Sequence, residues 1–206
     1  MSAVRARQDV PLIQYNMFTK LNISHNFPLQ SSRKLKFQFG KVMDDAWRGI
    51  SYYKADVEID TAIKKYIPEK YRNYVDVNLM IISGSNIPPH IDDSVLVTMN
   101  FYMETNNAHT YFHQLKNNIT PNIKTLPEQK TTGKIFTIED LEIVSQFKAI
   151  QGEVYLLDVS KIHSVSSETP SNREAYCLQS SCLTYTDVLE ILAEGNSLNQ
   201  ISGINW

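Results

Sequence analysis

The chain has 206 residues, a length that suits one domain with room for a sizeable core. Its 42% hydrophobic and 20% charged content, with 7 Gly and 8 Pro, excludes collagen-like and disordered classes. A formal net charge of -2 supplies no overall cationic field, so charge does not support nucleic acid or an anionic membrane as a tightly held partner.

The apolar runs, such as residues 154–157, are too short to cross a bilayer, and the opening residues 1–7 are polar with no apolar signal core behind them. The expectation is a soluble, cytoplasmic protein. Cys177 and Cys182 form neither a disulfide framework nor a CxxC metal clip, and read as small hydrophobes in a reducing compartment.

The first third, residues 1–74, reads as a mixed, partly helical scaffold: a short alternating run at 35–39, then a helix at 61–66 that Pro68 interrupts before 69–74. Trp47, Tyr52 and Tyr53 read there as core aromatics, and Lys64, Lys65, Lys70 and Arg72 as a solvated helix face. From residue 75 the pattern turns to strands, at 75–82, 95–103, 109–115, 154–159 and 175–183, each rich in β-branched or aromatic residues between turn-forming clusters.

Thr137-Ile-Glu-Asp140 fits a capping box that leads into a helix at 141–147, and the stretch 114–151 around it suits a lid or recognition insert. Thr186 is placed to cap a last helix at 187–193, followed by a helical tail packed on the barrel. The sum is a single domain, 1–206, mainly β with flanking helices: a β-helix core at 75–183 of the jelly-roll type, and C-terminal helices at 184–206.

The chemistry-bearing residues fall within that core. His90 and Asp92 stand two apart in an extended segment, so both side chains share one face, and imidazole with carboxylate suits iron(II). His163 ends an apolar strand 73 positions later, and a jelly roll returns such late strands beside early ones. Arg173 lies ten residues further on, across a turn-rich stretch, where a hairpin would bring its guanidinium toward the same pocket. Two imidazoles and one carboxylate on one face of Fe(II) leave about three of six positions open, enough for a bidentate 2-oxo acid and dioxygen. A permanently charged arginine suits the acid's far carboxylate. His109 and His113 read as polar or core residues near the pocket wall, and His25 as a surface residue.

On these residues the stretch 75–183 resembles the double-stranded β-helix (cupin-like) core of the 2-oxoglutarate and Fe(II)-dependent oxygenase superfamily, in a pattern like its prolyl-hydroxylase branch. That family's His-x-Asp, distal His and Arg fall on His90, Asp92, His163 and Arg173. Gly84, the run Thr98-Met-Asn-Phe-Tyr102 and the run Thr110-Tyr-Phe112 also match. The chain departs from the pattern at Met80, where members carry an aromatic hydroxyl, and at Ala175 and Cys177, where many carry Ser or Thr.

The resemblance implies Fe(II), 2-oxoglutarate and O2 as cofactor and cosubstrates, succinate and CO2 as coproducts, and hydroxylation of an unactivated C–H. It places Asn78, Asn100 and Tyr102 as further cosubstrate contacts. The substrate would be an amino acid, a peptide or protein side chain, or another small molecule. A nucleobase-modifying oxygenase, a non-catalytic metal-binding jelly-roll module and a metal-dependent cupin isomerase are the alternatives.

Overall fold

A computed structural model describes residues 16–30, 35–38, 50–83, 86–92, 94–125, 134–167 and 172–194. In chain order these form β1 (Phe18–Ser24), β2 (Leu35–Gln38), β3 (Ile50–Lys54), α1 (Val57–Lys64), β4 (Asp76–Ser83), β5 (Asn86–Ile91), β6 (Val97–Glu104) and β7 (His109–Leu115). There follow β8 (Ile123–Thr125), β9 (Lys134–Phe136), β10 (Leu141–Lys148), β11 (Glu153–Leu157), β12 (His163–Ser166), β13 (Asn172–Ser180) and α2 (Tyr185–Glu194). Trp47, Gly84 and the tail beyond α2, on which parts of the sequence reading fall, lie outside the described residues.

The strands form two antiparallel sheets, ordered β1-β11-β6-β13-β4-β3-β2 and β10-β7-β12-β5-β9-β8. Within them β11-β6-β13-β4 faces β10-β7-β12-β5, so the chain alternates between sheets from β4 to β7 and again from β10 to β13. This winding is a jelly roll. It also explains how residues far apart in sequence become neighbours: the last core strands insert between the first ones.

Six successive residues of β4, Val77 to Ile82, are buried, and strict polar alternation is absent because both faces of the large sheet are covered. Val77, Leu79 and Ile81 face an outer core with Met99, Phe101, Leu156 and Leu178, closed by Ile59 and Ile63 of α1 and Val188, Ile191 and Leu192 of α2. Met80 and Ile82 face an inner core between the sheets, with Phe112, Leu157 and Ala175. Each such aliphatic side chain contributes about 1.5–3 kcal/mol on burial.

Three local readings differ from the sequence expectation. The helix expected at 141–147 is strand β10, paired with β7 from Leu141↔Leu115 to Lys148↔His109, and Thr137 caps only a single 3-10 turn at Ile138–Asp140, without a side-chain hydrogen bond. Pairing satisfies the backbone groups that β7 turns toward its neighbour, and that demand outweighs a local capping signal. The cap of α2 is Thr184 rather than Thr186: Thr184 Oγ1 accepts from the Asp187 N–H at 3.2 Å, and Asp187 Oδ2 accepts from the Thr184 N–H at 2.7 Å. Finally, the first third, expected as a mixed, partly helical scaffold, supplies strands to the large sheet, where β1 pairs with β11 and β3 with β4.

Candidate metal centre

Strand β5 opens with Asn86-Ile-Pro-Pro, and two consecutive prolines cannot donate to a ladder. The pairing with β12 accordingly slips between His163↔His90 and Val165↔Ile87, which puts the extra residue on β5. The slip sets His90 directly opposite His163, with ring centroids 4.2 Å apart. Asp92 follows two positions on, its backbone N–H donating to the Val159 carbonyl at 3.2 Å. The ligating atoms of His90, Asp92 and His163 all lie within 4.8 Å of one another.

Each imidazole is oriented from behind. His90 Nδ1 lies 2.8 Å from the Pro88 carbonyl and His163 Nδ1 lies 2.9 Å from the Lys161 carbonyl. A carbonyl only accepts, so both Nδ1 atoms carry the proton and both Nε2 lone pairs are left for a cation. His90 Nε2 stands 3.4 Å from Asp92 Oδ1. Burial lowers the His163 pKa to about 4, helped by the nearby His90, so the ring is neutral near pH 7. Burial pushes the Asp92 carboxyl up, but the hydrogen bond and charge that His90 supplies when protonated, and the charge of a protonated His163, outweigh it and hold Asp92 below the usual range. A neutral His163 and an ionised Asp92 are protonation states that metal binding requires.

The three donors line a cavity between the sheets, with room of about 60 Å³ inside it. Ile82, Ile87, Leu157, Val159 and Val165 make its apolar walls, and Thr98, Asn100, Tyr102, Thr110, Arg173 and Gln179 supply polar groups. Arg173 is 2% exposed. Its Nη2 donates to Tyr102 Oη at 2.7 Å and to Thr110 Oγ1 at 2.9 Å, and its guanidinium carbon sits 4.8 Å above the Tyr102 ring. Its Nε and Nη1 are buried without a hydrogen-bond partner among the described residues.

Asn100 also donates to Tyr102 Oη, at 3.4 Å, and accepts from Thr98 at 2.7 Å. With both lone pairs of Tyr102 Oη taken by donors, its own proton is free to turn toward a ligand. A guanidinium with unpartnered N–H groups and a phenol at one cavity wall make a site for an anion. The residues present therefore fit both a divalent cation and a carboxylate.

The structure thus brings His90, Asp92, His163, Arg173, Asn100 and Tyr102 to one cavity. Asn78, expected at the cosubstrate, does not line it: its Nδ2 donates to Gln179 Oε1 at 3.0 Å from outside the cavity. His113, expected near the wall, points to the opposite face of β7, where its Nε2 lies 2.7 Å from Ser164 Oγ and burial lowers its pKa. His109 stacks on Tyr111 on that same face. His25 is not a surface residue: it stacks on Phe27 and meets Phe101 edge-on in the outer core.

Tyr52, read as core, lines the cavity, where burial and the charge of Asp92 raise its pKa well above the ordinary value, so it stays a donor. Gln179 was not singled out by sequence. Its signal was available, since residues 173, 175, 177 and 179 of one strand share a face.

No protein-family model matches the chain, and no curated protein matches it. Solved structures that resemble it include ectoine synthase from P. lautus, at 12% identity and a TM-score of 0.35 over 72% of this chain and 74% of that one. The epimerase SnoN, solved with Fe3+, alpha-ketoglutarate and nogalamycin RO, gives 13% and 0.39 over 63% of this chain and 62% of that one. E. coli ycfD gives 12% and 0.40 over 92% of this chain and 48% of that one. Likenesses this distant assign neither family nor reaction. Among the described residues no helix is long and apolar enough to cross a membrane.

Proposed function

We propose that the protein is a mononuclear iron(II) oxygenase that consumes 2-oxoglutarate and hydroxylates an unactivated C–H bond. The observation that carries this reading is one cavity holding both a His90–Asp92–His163 donor set and a buried guanidinium with two unpartnered nitrogens. A 2-His-1-carboxylate set with open positions is the arrangement that suits non-haem iron(II). A protein that merely stored a metal would have no use for a buried, unsatisfied Arg173 beside it, since each unmade hydrogen bond costs about 1–3 kcal/mol.

When bound, iron(II) with 2-oxoglutarate supplies the oxidation, in which O2 gives one oxygen atom to succinate and the other to the substrate C–H, with release of CO2. The chain's own work is holding and excluding. His90, Asp92 and His163 would occupy one face of the metal, and the Pro88 and Lys161 carbonyls keep both imidazoles aimed. Arg173, steadied by Tyr102 and Thr110, would grip the far carboxylate of 2-oxoglutarate and so fix its reach toward the metal. The apolar walls at Ile82, Ile87, Leu157, Val159 and Val165 keep water from the reacting centre.

The test is an anaerobic titration of the purified chain with Fe(II) and then 2-oxoglutarate. Bidentate chelation gives a weak visible metal-to-ligand charge-transfer band; its absence with both components shown to be bound would refute the chelate. A non-catalytic binding module would bind metal but release no succinate with any substrate.

A further inference from the structure

We infer that Tyr52 is a positioning residue for the metal-binding carboxylate: its phenolic O–H donates to the Asp92 oxygen that does not hold the metal, and Asn78 and Gln179 stand behind it as a relay. This rests on the metal-donor reading of His90, Asp92 and His163 and needs no cosubstrate. The three donors are not equally braced. His90 and His163 are each held from behind by a backbone carbonyl, whereas the hydrogen-bonding contact of the Asp92 side chain among the described residues is His90 Nε2, 3.4 Å from Oδ1. With its ring proton on Nδ1, toward Pro88, neutral His90 brings a lone pair to that contact. A metal takes this lone pair and one carboxylate oxygen, and the other oxygen then needs a donor to fix its direction.

The other cavity donors are engaged elsewhere. Thr98 donates to Asn100, Asn100 to Tyr102, and Arg173 to both Tyr102 and Thr110, which holds those two hydroxyls beside the guanidinium. Tyr52 enters the same cavity from β3, where its register partner is Met80. Burial and the nearby charge of Asp92 keep its hydroxyl protonated, so it has a hydrogen to give. The relay sets where that hydrogen points. Asn78 Nδ2 donates to Gln179 Oε1 at 3.0 Å, so the amide nitrogen is the end that Gln179 turns to the Tyr52 hydroxyl, to which it donates. Tyr52 Oη receives that bond on a lone pair and passes its own proton onward to Asp92. Donation in one direction along Asn78, Gln179, Tyr52 and Asp92 lets each bond polarise the next. Asn78 thereby acts on the metal centre although it stands outside the cavity.

The experiment titrates the full metal-free chain with Co(II), whose visible d–d bands report the number and arrangement of its ligands. The wild type is compared with Tyr52→Phe, which removes one hydroxyl, and with Gln179→Met, which removes the donor behind it. Tyr53→Phe is the control, since that neighbouring ring packs on the outer core. The expected result is a changed spectrum at saturating Co(II) in Tyr52→Phe, because the carboxylate meets the metal from another direction, a smaller change in Gln179→Met, and none in Tyr53→Phe. Calorimetric affinity for Co(II) should fall about tenfold or more in Tyr52→Phe, while the metal-free protein melts as the wild type does.

An unchanged spectrum in Tyr52→Phe overturns the inference, whatever the affinity does, and leaves the metal centre standing. An equal change in Tyr53→Phe overturns it too, as a general loosening of β3. If Tyr52→Phe does not fold, Gln179→Met decides by the same reading: a changed spectrum supports the relay and an unchanged one overturns it. A wild-type chain that takes up neither Co(II) nor Fe(II) refutes the donor set, and with it both the inference and the proposed function.

Discussion

Replacing Arg173 by leucine separates an oxygenase from a metal-binding jelly roll. The guanidinium is 2% exposed, makes two hydrogen bonds through Nη2 and leaves Nε and Nη1 unmet. If a carboxylate pairs with this guanidinium, it forms a buried, hydrogen-bonded charge pair, and removing one member of such a pair costs roughly 3–5 kcal/mol. At about 1.4 kcal/mol per decade, 2-oxoglutarate affinity in Arg173→Leu should fall on the order of a hundred- to several-thousand-fold. Iron affinity should stay nearly intact, because the donors sit on or beside β5 and β12 rather than on β13.

Thermal melts of the Mn(II)-loaded protein give a second readout that needs no turnover. The wild type should gain about 2.7 kcal/mol at a cosubstrate concentration of about 100 times its Kd, and the variant about 0.4 kcal/mol or less at that concentration. Arg173→Lys should recover only part of the affinity, since an ammonium cannot present the planar fork. Unchanged 2-oxoglutarate affinity in Arg173→Leu would remove Arg173 from the site and, with it, the main reason to prefer this enzyme class.

His163→Ala should lose iron binding far more than His113→Ala, whose ring lies on the opposite face of β7 bonded to Ser164; equal losses by calorimetry would mean that the donor set is misassigned. In the metal-free protein the native His163 binds its proton only near pH 4, whereas the unfolded chain does so near the ordinary 6.5, so stability falls as pH drops through that window. The gap is worth roughly 3 kcal/mol at about 1.4 kcal/mol per pKa unit, and urea melts of His163→Gln should show a shallower loss between those two pH values than the wild type. An equal slope would refute the burial argument. Cys177 is 1% exposed and burial pushes its thiol up to about 12, whereas Cys182 is exposed, so native-state alkylation read by mass spectrometry should label Cys182 and spare Cys177 until the chain unfolds. Labelling of both at similar rates would show that the cavity opens readily.

The residue types and the two-residue period of a strand were enough, in the sequence alone, to mark His90 and Asp92 as one face of a site and to class the chain as mainly β. The spacing of His163 and Arg173 suggested that late strands return to that site, and the antiparallel register His163↔His90 is the means by which they do. The resemblance implied Asn100 and Tyr102 as site residues, and their two-residue spacing puts both on one face of β6. The resemblance also implied Asn78, yet it stands outside the cavity beside Gln179, because a strand's period gives the face of a side chain and not its depth along the barrel.

What only the tertiary structure decided were the matters that depend on partners distant in the chain. The capping-box pattern at 137–140 is a local signal, and it lost to seven ladder pairings with β7, which no local window contains. Tyr52 and Tyr53 are adjacent and equally aromatic, and sequence could not say which would face the cavity, since that follows from the register Tyr52↔Met80. The unmade hydrogen bonds of Arg173 are of the same kind. Sequence supplies a guanidinium, but whether burial leaves two of its nitrogens without partners depends on how closely Tyr102 and Thr110 approach from two other strands. Local chemistry was set by residue type, and the coincidence of these groups at one cavity was set by strand pairing.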